Sequence, residues 1–251
     1  MDGTLLNSNH EVSDRFFELY DELKKRNIAF VAVSGRQYHS MVDKLDPIKD
    51  EIIVIAENGA LVKHRKSVLL TTPINKTDVS RVLDAVHPLD NVHPVLCCQN
   101  TAFVQGESQA FLNMLREYYS EYDIVENQHH VEEEVLKVAI YHFKDSEKHI
   151  YPAVKHLEKD MKVKVSGAHW VDVSDRNAHK GHALKKVMEQ HRIAPDEIMV
   201  FGDYNNDLEM MQLSEYSFAM ANAHPNVIKT AKYRTHSNDD FGVERILEKL
   251  L

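Results

Sequence analysis

The chain has 251 residues, 43% of them hydrophobic, 27% charged and 8% aromatic, a composition that excludes disorder, collagen and a small secreted scaffold. Its 39 Asp and Glu outnumber 30 Lys and Arg to leave a formal charge of −9, which argues against general binding to nucleic acid or anionic membranes by bulk charge. The 2 Cys are adjacent, Cys97 and Cys98, so no disulfide framework is possible; no apolar run approaches the roughly 20 residues of a membrane helix, the first ten residues lack a signal-peptide pattern, and a cytoplasmic location is expected.

In chain order, Val12, Phe16, Leu19, Tyr20 and Leu23 recur at helical spacing, with Asn27 placed where a left-handed stop residue belongs. Short β-branched runs follow at Ala29–Val33 and Ile52–Ile55, the pattern of strands buried on both faces. The middle of the chain changes character. Val79, Val82, Leu83 and Val86 predict a helix, Val95–Cys98 and Thr101–Val104 a hairpin, and Phe111, Leu112, Leu115 and Tyr119 a second helix. The polar stretch Glu121–Glu134 reads as a loop or irregular edge. It is followed by a strand over Val135–Phe143, a third helix carrying Ile150, Val154 and Leu157, and a hairpin of Lys162–Ser166 with His169–Val173 around Gly167. A helix over His182–His191, strands at Ile198–Phe201 and Phe218–Met220, and a helix with Val243, Ile246, Leu247 and Leu250 complete the chain. Strands alternating with helices at both ends predict an α/β, doubly wound, mostly parallel Rossmann-like core. The hairpins between them predict an inserted α+β domain with an antiparallel sheet. The expected division is a discontinuous core of residues 1–74 and 175–251, and an insertion of residues 75–174.

Four of the core strands run directly into polar turns: Ser34-Gly35-Arg36, Ala56-Glu57-Asn58-Gly59, Gly202-Asp203-Tyr204-Asn205-Asn206-Asp207, and Ala221-Asn222-Ala223. Any one of these is ordinary turn chemistry. Together, at the carboxyl edge of a parallel sheet, they predict a ligand site. Asp2, Asp203 and Asp207 bring carboxylates that repel one another unless a cation lies between them, and a hard divalent ion with few protein ligands suits such a set. Lys180 at a helix start, Ser34 and the Gly35 N–H make a candidate phosphate cradle.

Asp2-Gly3-Thr4-Leu5-Leu6, Ser34-Gly35-Arg36, Lys180-Gly181 and the Gly202–Asp207 turn stand in the order of the four signatures of the haloacid dehalogenase superfamily, which the chain resembles. Glu57-Asn58-Gly59-Ala60 and Asn222-Ala223 are similar to its Cof-type branch, magnesium-dependent phosphatases with a large type-two cap. The resemblance implies a Mg²⁺-dependent phosphomonoesterase acting on a small phosphorylated metabolite, with sugar phosphates the leading class. It makes Asp2 the general acid/base, with its backbone carbonyl on Mg²⁺. Ser34, Gly35, Lys180 and Asn206 hold the phosphoryl group, Asp203 ligates the metal directly, and Asp207 supports the site without touching the ion. A phosphomutase, or a non-catalytic binder of a phosphorylated ligand or partner, are the alternatives.

The family pattern begins with an apolar strand ending in Asp-x-Asp-Gly-Thr, whose first Asp is the nucleophile that forms an aspartyl-phosphate; here Met1 stands at x. Loss of such a nucleophile costs on the order of 10⁴-fold in rate. The expectation is therefore that the native reading frame starts upstream and that a chain beginning at Met1 is nearly inactive. The mass of the protein from its native source tests the first point. Other residues have plainer readings. The 16 His show no HExxH spacing, and His129-His130 falls in the polar loop; Cys97-Cys98 and Trp170 read as packing residues of the insertion, Trp170 at its edge. Tyr204 and Arg36 are open between the pocket and structural roles. The substrate, the cap residues that select it and the oligomeric state are not readable.

Overall fold

Ser13 starts the first helix, α1 (Asp14–Lys25), by accepting the Phe16 N–H on its hydroxyl, and Asn27 ends it in the left-handed conformation at φ 57°. In the computed structural model, which describes residues 1–106, 108–116, 119 and 121–251, the chain divides into two compact units. One comprises Met1–Leu70 with His179–Leu251; the other is the insertion Thr71–Ala178.

The first unit continues through β1 (Val31–Val33), α2 (Tyr38–Lys44), β2 (Ile53–Ala56), β3 (Leu61–His64) and β4 (Ser67–Thr71). β1 and β2 pair in parallel, with Val31 opposite Ile53, and β3 pairs antiparallel to β2. The hairpin of β3 and β4 has no counterpart among the predicted elements. Its turn passes through Arg65 at φ 57°, so neither glycine nor asparagine marks it. The insertion runs through α3 (Lys76–Val86), β5 (Val92–Cys97), β6 (Ala102–Gln105), α4 (Gln109–Leu115), β7 (Tyr122–Val125), β8 (Lys137–His142), α5 (Ser146–His149), α6 (Tyr151–Val154), β9 (Lys162–Val165) and β10 (Trp170–Ser174). The chain then returns with α7 (Lys180–His191), β11 (Met199–Gly202), α8 (Leu208–Met211), β12 (Tyr216–Ala219), α9 (Pro225–Thr230), β13 (Tyr233–Arg234) and α10 (Gly242–Leu250). β11, β12 and β13 form a parallel sheet in that order. Among the described residues, β1 and β11 each have one strand neighbour.

The insertion's six strands lie in the order β7-β6-β5-β8-β10-β9, antiparallel except for β6 with β7. Alternation along β8 sends Val138 and Ile140 to one apolar cluster, shared with α3, Ile150, Val154 and Leu157. Ala139 and Tyr141 go to a second cluster under α4. The unit starts at Thr71 and ends at Ala178, four residues beyond the predicted limits on either side; Ile74 belongs to its core and donates its N–H to the Val135 carbonyl at 2.8 Å.

Two elements differ from the sequence reading. The stretch read as a loop or irregular edge contains β7, a regular edge strand paired with β6, whose middle residues are exposed while Tyr122 and Val125 only partly pack on the apolar clusters, so its side chains carry little periodic signal. The third helix is broken at Ile150 into α5, α6 and a 3₁₀ turn over Lys155–Lys159. Pro152, without an N–H, interrupts the ladder, although Ile150, Val154 and Leu157 all reach the core. Tyr119 lies beyond α4, buried, its hydroxyl 3.3 Å from Cys97 Sγ. Trp170 sits on β10, flanked by β8 and β9 rather than at an edge, and packs on Tyr141 with ring centroids 4.9 Å apart. No helix among the described residues is long and apolar enough to cross a membrane.

Candidate functional site

The turn at Asp2-Gly3-Thr4 is closed by the Met1 carbonyl, which accepts the N–H groups of Thr4, Leu5 and Leu6 at 3.1, 2.9 and 3.0 Å. Gly3 adopts φ 66°, and a Cβ there would lie 2.4 Å from Asp203 Oδ2, so glycine is what lets the turn rest on that carboxylate. Thr4 Oγ1 donates to Asp203 Oδ1 at 2.7 Å, and Asn222 Nδ2 donates to the Gly3 carbonyl at 2.8 Å. The turns after β11 and β12 are joined in turn: the His224 N–H donates to the Asp203 carbonyl at 2.8 Å. The amino group of Met1 donates to the Val33 carbonyl at 3.2 Å and lies within electrostatic reach of Lys180, Asp207, Asp2 and Asp203. Four residues singled out in sequence, from three distant segments, thus surround one point.

Lys180, the first residue of α7, is buried and donates to Asp207 Oδ1 at 2.6 Å. Asp207 Oδ2 accepts the backbone N–H groups of Asp203 and Tyr204 at 3.0 and 3.1 Å. Burial pushes the Asp207 carboxyl up, but the Lys180 charge and these hydrogen bonds prevail and hold it below the usual range. Asp203 moves the other way. Burial raises its pKa, the Thr4 hydrogen bond opposes this, and the Asp207 charge adds to the rise. Its Oδ2 accepts no hydrogen bond among the described residues.

Asp2 is half-exposed and faces Arg36, whose Nε donates to Oδ2 at 2.8 Å while Nη2 donates to Oδ1; His10 Nδ1 lies 3.2 Å from Oδ1. Burial pushes this carboxyl up, yet the paired guanidinium outweighs it and brings the pKa from 3.8 down to about 2. A carboxyl held this way is a poor proton donor at neutral pH, so the general-acid role expected for Asp2 requires that Arg36 let go. The sign of the linkage is that of a depressed acid: the stabilisation is present above the unfolded pKa of 3.8 and is lost as pH falls through about 2. Arg36→Met is therefore expected to lower the thermal midpoint at neutral pH. Its deficit against wild type should shrink between about pH 4 and pH 2. A deficit that is constant with pH would refute the pairing.

Ser34, buried at the end of β1, accepts the Arg36 N–H on Oγ at 3.2 Å, and its carbonyl accepts the Asn58 N–H at 3.0 Å. Gly35 follows, with the Asn58 side chain so close that a Cβ on Gly35 would meet it at 2.9 Å. Asn206 Nδ2 donates to Asn58 Oδ1 at 2.9 Å. The structure therefore brings Ser34, Gly35 and Asn206 together through Asn58, a residue quoted in the motif reading but given no role there. Tyr204 is 53% exposed and packs edge-on to His224, away from these contacts.

No group of three or more His, Cys, Asp or Glu among the described residues makes a metal cage. Mg²⁺ needs none, since it keeps several waters and takes one or two carboxylates with phosphate oxygens. The donors here are hard oxygens, Asp203 retains an unsatisfied carboxylate oxygen in a partly buried place, and three carboxylates gather beside Lys180, Arg36 and the Met1 amino group. A phosphate dianion meeting these carboxylates is favoured by an added cation. The residues fit Mg²⁺, with Asp203 and Asp2 its candidate ligands.

A family profile described as haloacid dehalogenase-like hydrolase matches residues 1–247. The chain is 29% identical over 254 residues to the 5-amino-6-(5-phospho-D-ribitylamino)uracil phosphatase YbjI of Escherichia coli, covering 100% of this chain and 94% of that protein. The crystal structure of TM0651 from Thermotoga maritima superposes with a TM-score of 0.88 at 26% identity, over 99% of this chain and 94% of the other. The subclass IIB sugar phosphatase BT4131 shares the fold, with a TM-score of 0.81 at 18% identity over 100% of this chain and 96% of its own.

Proposed function

This chain belongs to the haloacid dehalogenase-like hydrolases, and we propose that it is a Mg²⁺-dependent phosphomonoesterase for a small metabolite carrying its phosphate on a polyhydroxylated carbon chain. The reading rests on one observation: the turns after β1, β2 and β11 and the start of α7 bring together two hydrogen-bonded groups, Ser34 with Asn58 and Asn206, and Lys180 with Asp207 and Asp203, joined where Asn206 precedes Asp207, with Asp2 beside them. The substrate class is supported by the relatives, one named for a ribitylamino phosphate and one for sugar phosphates.

Ser34 Oγ, the Gly35 N–H, the Lys180 ammonium and Asn206 hold the phosphoryl oxygens. Hydrolysis of a phosphate ester depends on such positioning and charge neutralisation more than on elaborate covalent chemistry. Mg²⁺ neutralises phosphoryl charge when bound, with Asp203 and Asp2 as the residues that hold it. Asp207 fixes the Lys180 ammonium on one oxygen and the backbone of Asp203 and Tyr204 on the other, so both groups are set before substrate arrives. In the aspartyl-phosphate route that the family pattern implies, the ester P–O bond breaks as the phosphoryl group passes to the nucleophilic carboxylate; Asp2, released by Arg36 and protonated, gives that proton to the leaving alkoxide and then takes one from the water that frees orthophosphate.

The test is phosphate release by protein purified from its native source. It should liberate orthophosphate from 5-amino-6-(5-phospho-D-ribitylamino)uracil or from pentose and hexose phosphates, and stop on chelation of Mg²⁺. Tight binding without release would favour a non-catalytic binder. Phosphosugar isomerisation without release would favour a mutase.

A further inference from the structure

We propose that Asn58 is a further phosphoryl-binding residue, completing the cradle of Ser34, Gly35 and Asn206 by donating its side-chain amide N–H to a phosphoryl oxygen; this rests on the phosphatase reading above. The turn that carries Asn58 is attached to each wall of the candidate cradle. Glu57 and Asn58 donate their backbone N–H groups to the Arg36 and Ser34 carbonyls, both at 3.0 Å. Gly59, at φ 103°, lies so near the start of α7 that a Cβ would stand 2.5 Å from the His179 carbonyl oxygen and 3.0 Å from the Lys180 nitrogen. The Asn58 side chain contacts Gly35 and accepts from Asn206.

Asn58 itself stands at φ 54°, ψ 25°. This left-handed conformation costs most residues but is open to Asn, Asp and Gly. In it the amide lies against Gly35 and bonds Asn206. Pairing with Asn206 uses one of the four amide N–H groups that the two side chains hold. Asn58 Nδ2 has no protein partner among the described residues and is only half-exposed. A polar group so placed is satisfied by what enters the site. An incoming phosphoryl group has three oxygens to satisfy, and the amide adds a donor without adding charge.

The test measures orthophosphate binding in Mg²⁺ by calorimetry for wild type, Asn58→Gly, Asn58→Asp and Asn206→Ala, with thermal midpoints as the folding control. Glycine and aspartate both accept the left-handed backbone, so all variants should fold. Asn58→Gly removes the donor and should weaken phosphate binding about tenfold, the effect of one hydrogen bond to a charged oxygen. Asn58→Asp keeps the size and the acceptor for Asn206 but turns a carboxylate on the phosphate, and should bind more weakly than the glycine variant. A merely structural Asn58 acts only by holding Asn206, so Asn58→Gly should then cost nothing further in an Asn206→Ala background, whereas a direct donor costs about tenfold there too. Equal phosphate binding by Asn206→Ala and by the double variant Asn58→Gly, Asn206→Ala, or unchanged binding in Asn58→Gly while Asn206→Ala loses affinity, overturns this inference alone. Failure of the wild type to bind phosphate with Mg²⁺ overturns the phosphatase reading and this inference together.

Discussion

Lys180→Met is expected to lower stability by about 3 kcal/mol or more, because it leaves the Asp207 carboxylate buried without its counter-charge. The pair is 2.6 Å apart with side chains only 5% and 4% exposed, so neither group can turn to water when the other is removed. The two backbone N–H groups on Asp207 soften the loss without abolishing it. In a unit of this size the thermal midpoint should drop by roughly 10 °C. Asp207→Asn keeps the shape but strands the ammonium, and should also destabilise. The double variant should be markedly more stable than the sum of the singles predicts, since an uncharged pair pays no desolvation. Strict additivity, measured by denaturant unfolding of all four proteins, would show that the two groups do not depend on each other. The same substitution removes a cation from the phosphate cradle, so phosphate binding should fail even under conditions where the variant is fully folded.

Asp203→Asn should behave in the opposite way toward stability and still abolish function. In the folded protein burial and the neighbouring Asp207 disfavour the ionised Asp203, which is why its pKa rises. The raised value means that folding favours the protonated form. The wild type therefore pays a penalty above its folded pKa that fades as pH falls. Asparagine can keep the Thr4 hydrogen bond and carries no charge, so without Mg²⁺ the variant should be at least as stable as wild type at pH 7, with the difference closing in acid. Added Mg²⁺ should raise the thermal midpoint of the wild type and leave Asp203→Asn unmoved. Phosphate release should fall by about 10²-fold or more, the scale seen when one preorganised electrostatic group is removed. A variant that Mg²⁺ still stabilises would remove Asp203 from the metal site.

The two variants together separate a scaffold from a cation site. Lys180 and Asp207 form a buried unit that the fold needs, whereas Asp203 is a cost to the fold that a divalent ion would offset. Arg36 adds a third element, because it holds Asp2 as a carboxylate until something displaces it. In the proposed mechanism a substrate phosphate or a metal ion approaching Asp2 would compete with that guanidinium, and binding would be coupled to release of Asp2.

Chain-local patterns determined a good part of this protein without help from coordinates. The apolar face of α1 and its left-handed stop at Asn27, the short β-branched or aromatic runs of β1, β2, β11 and β12, and the two hairpins of the insertion are all set by short apolar runs, periods of 3.6 or 2 and turn residues close in sequence. The four polar turns were legible as neighbours because the carboxyl ends of parallel strands gather on one side, and hydrogen bonds between the turns do join them. Elements held by distant backbone or by irregularity were not: β7 borrows its pairing from β6, Pro152 breaks a helix whose apolar spacing is intact, and the turn joining β3 to β4 has no glycine to announce it. In the site, the decisive contacts join residues 34 positions apart for Arg36 with Asp2, 148 for Asn206 with Asn58 and 199 for Thr4 with Asp203. Composition and spacing can propose which side chains meet at such a rim. Only the packed chain decides which donor takes which oxygen, because each hydrogen bond is directional and short, and a side chain satisfied by one partner is withheld from another.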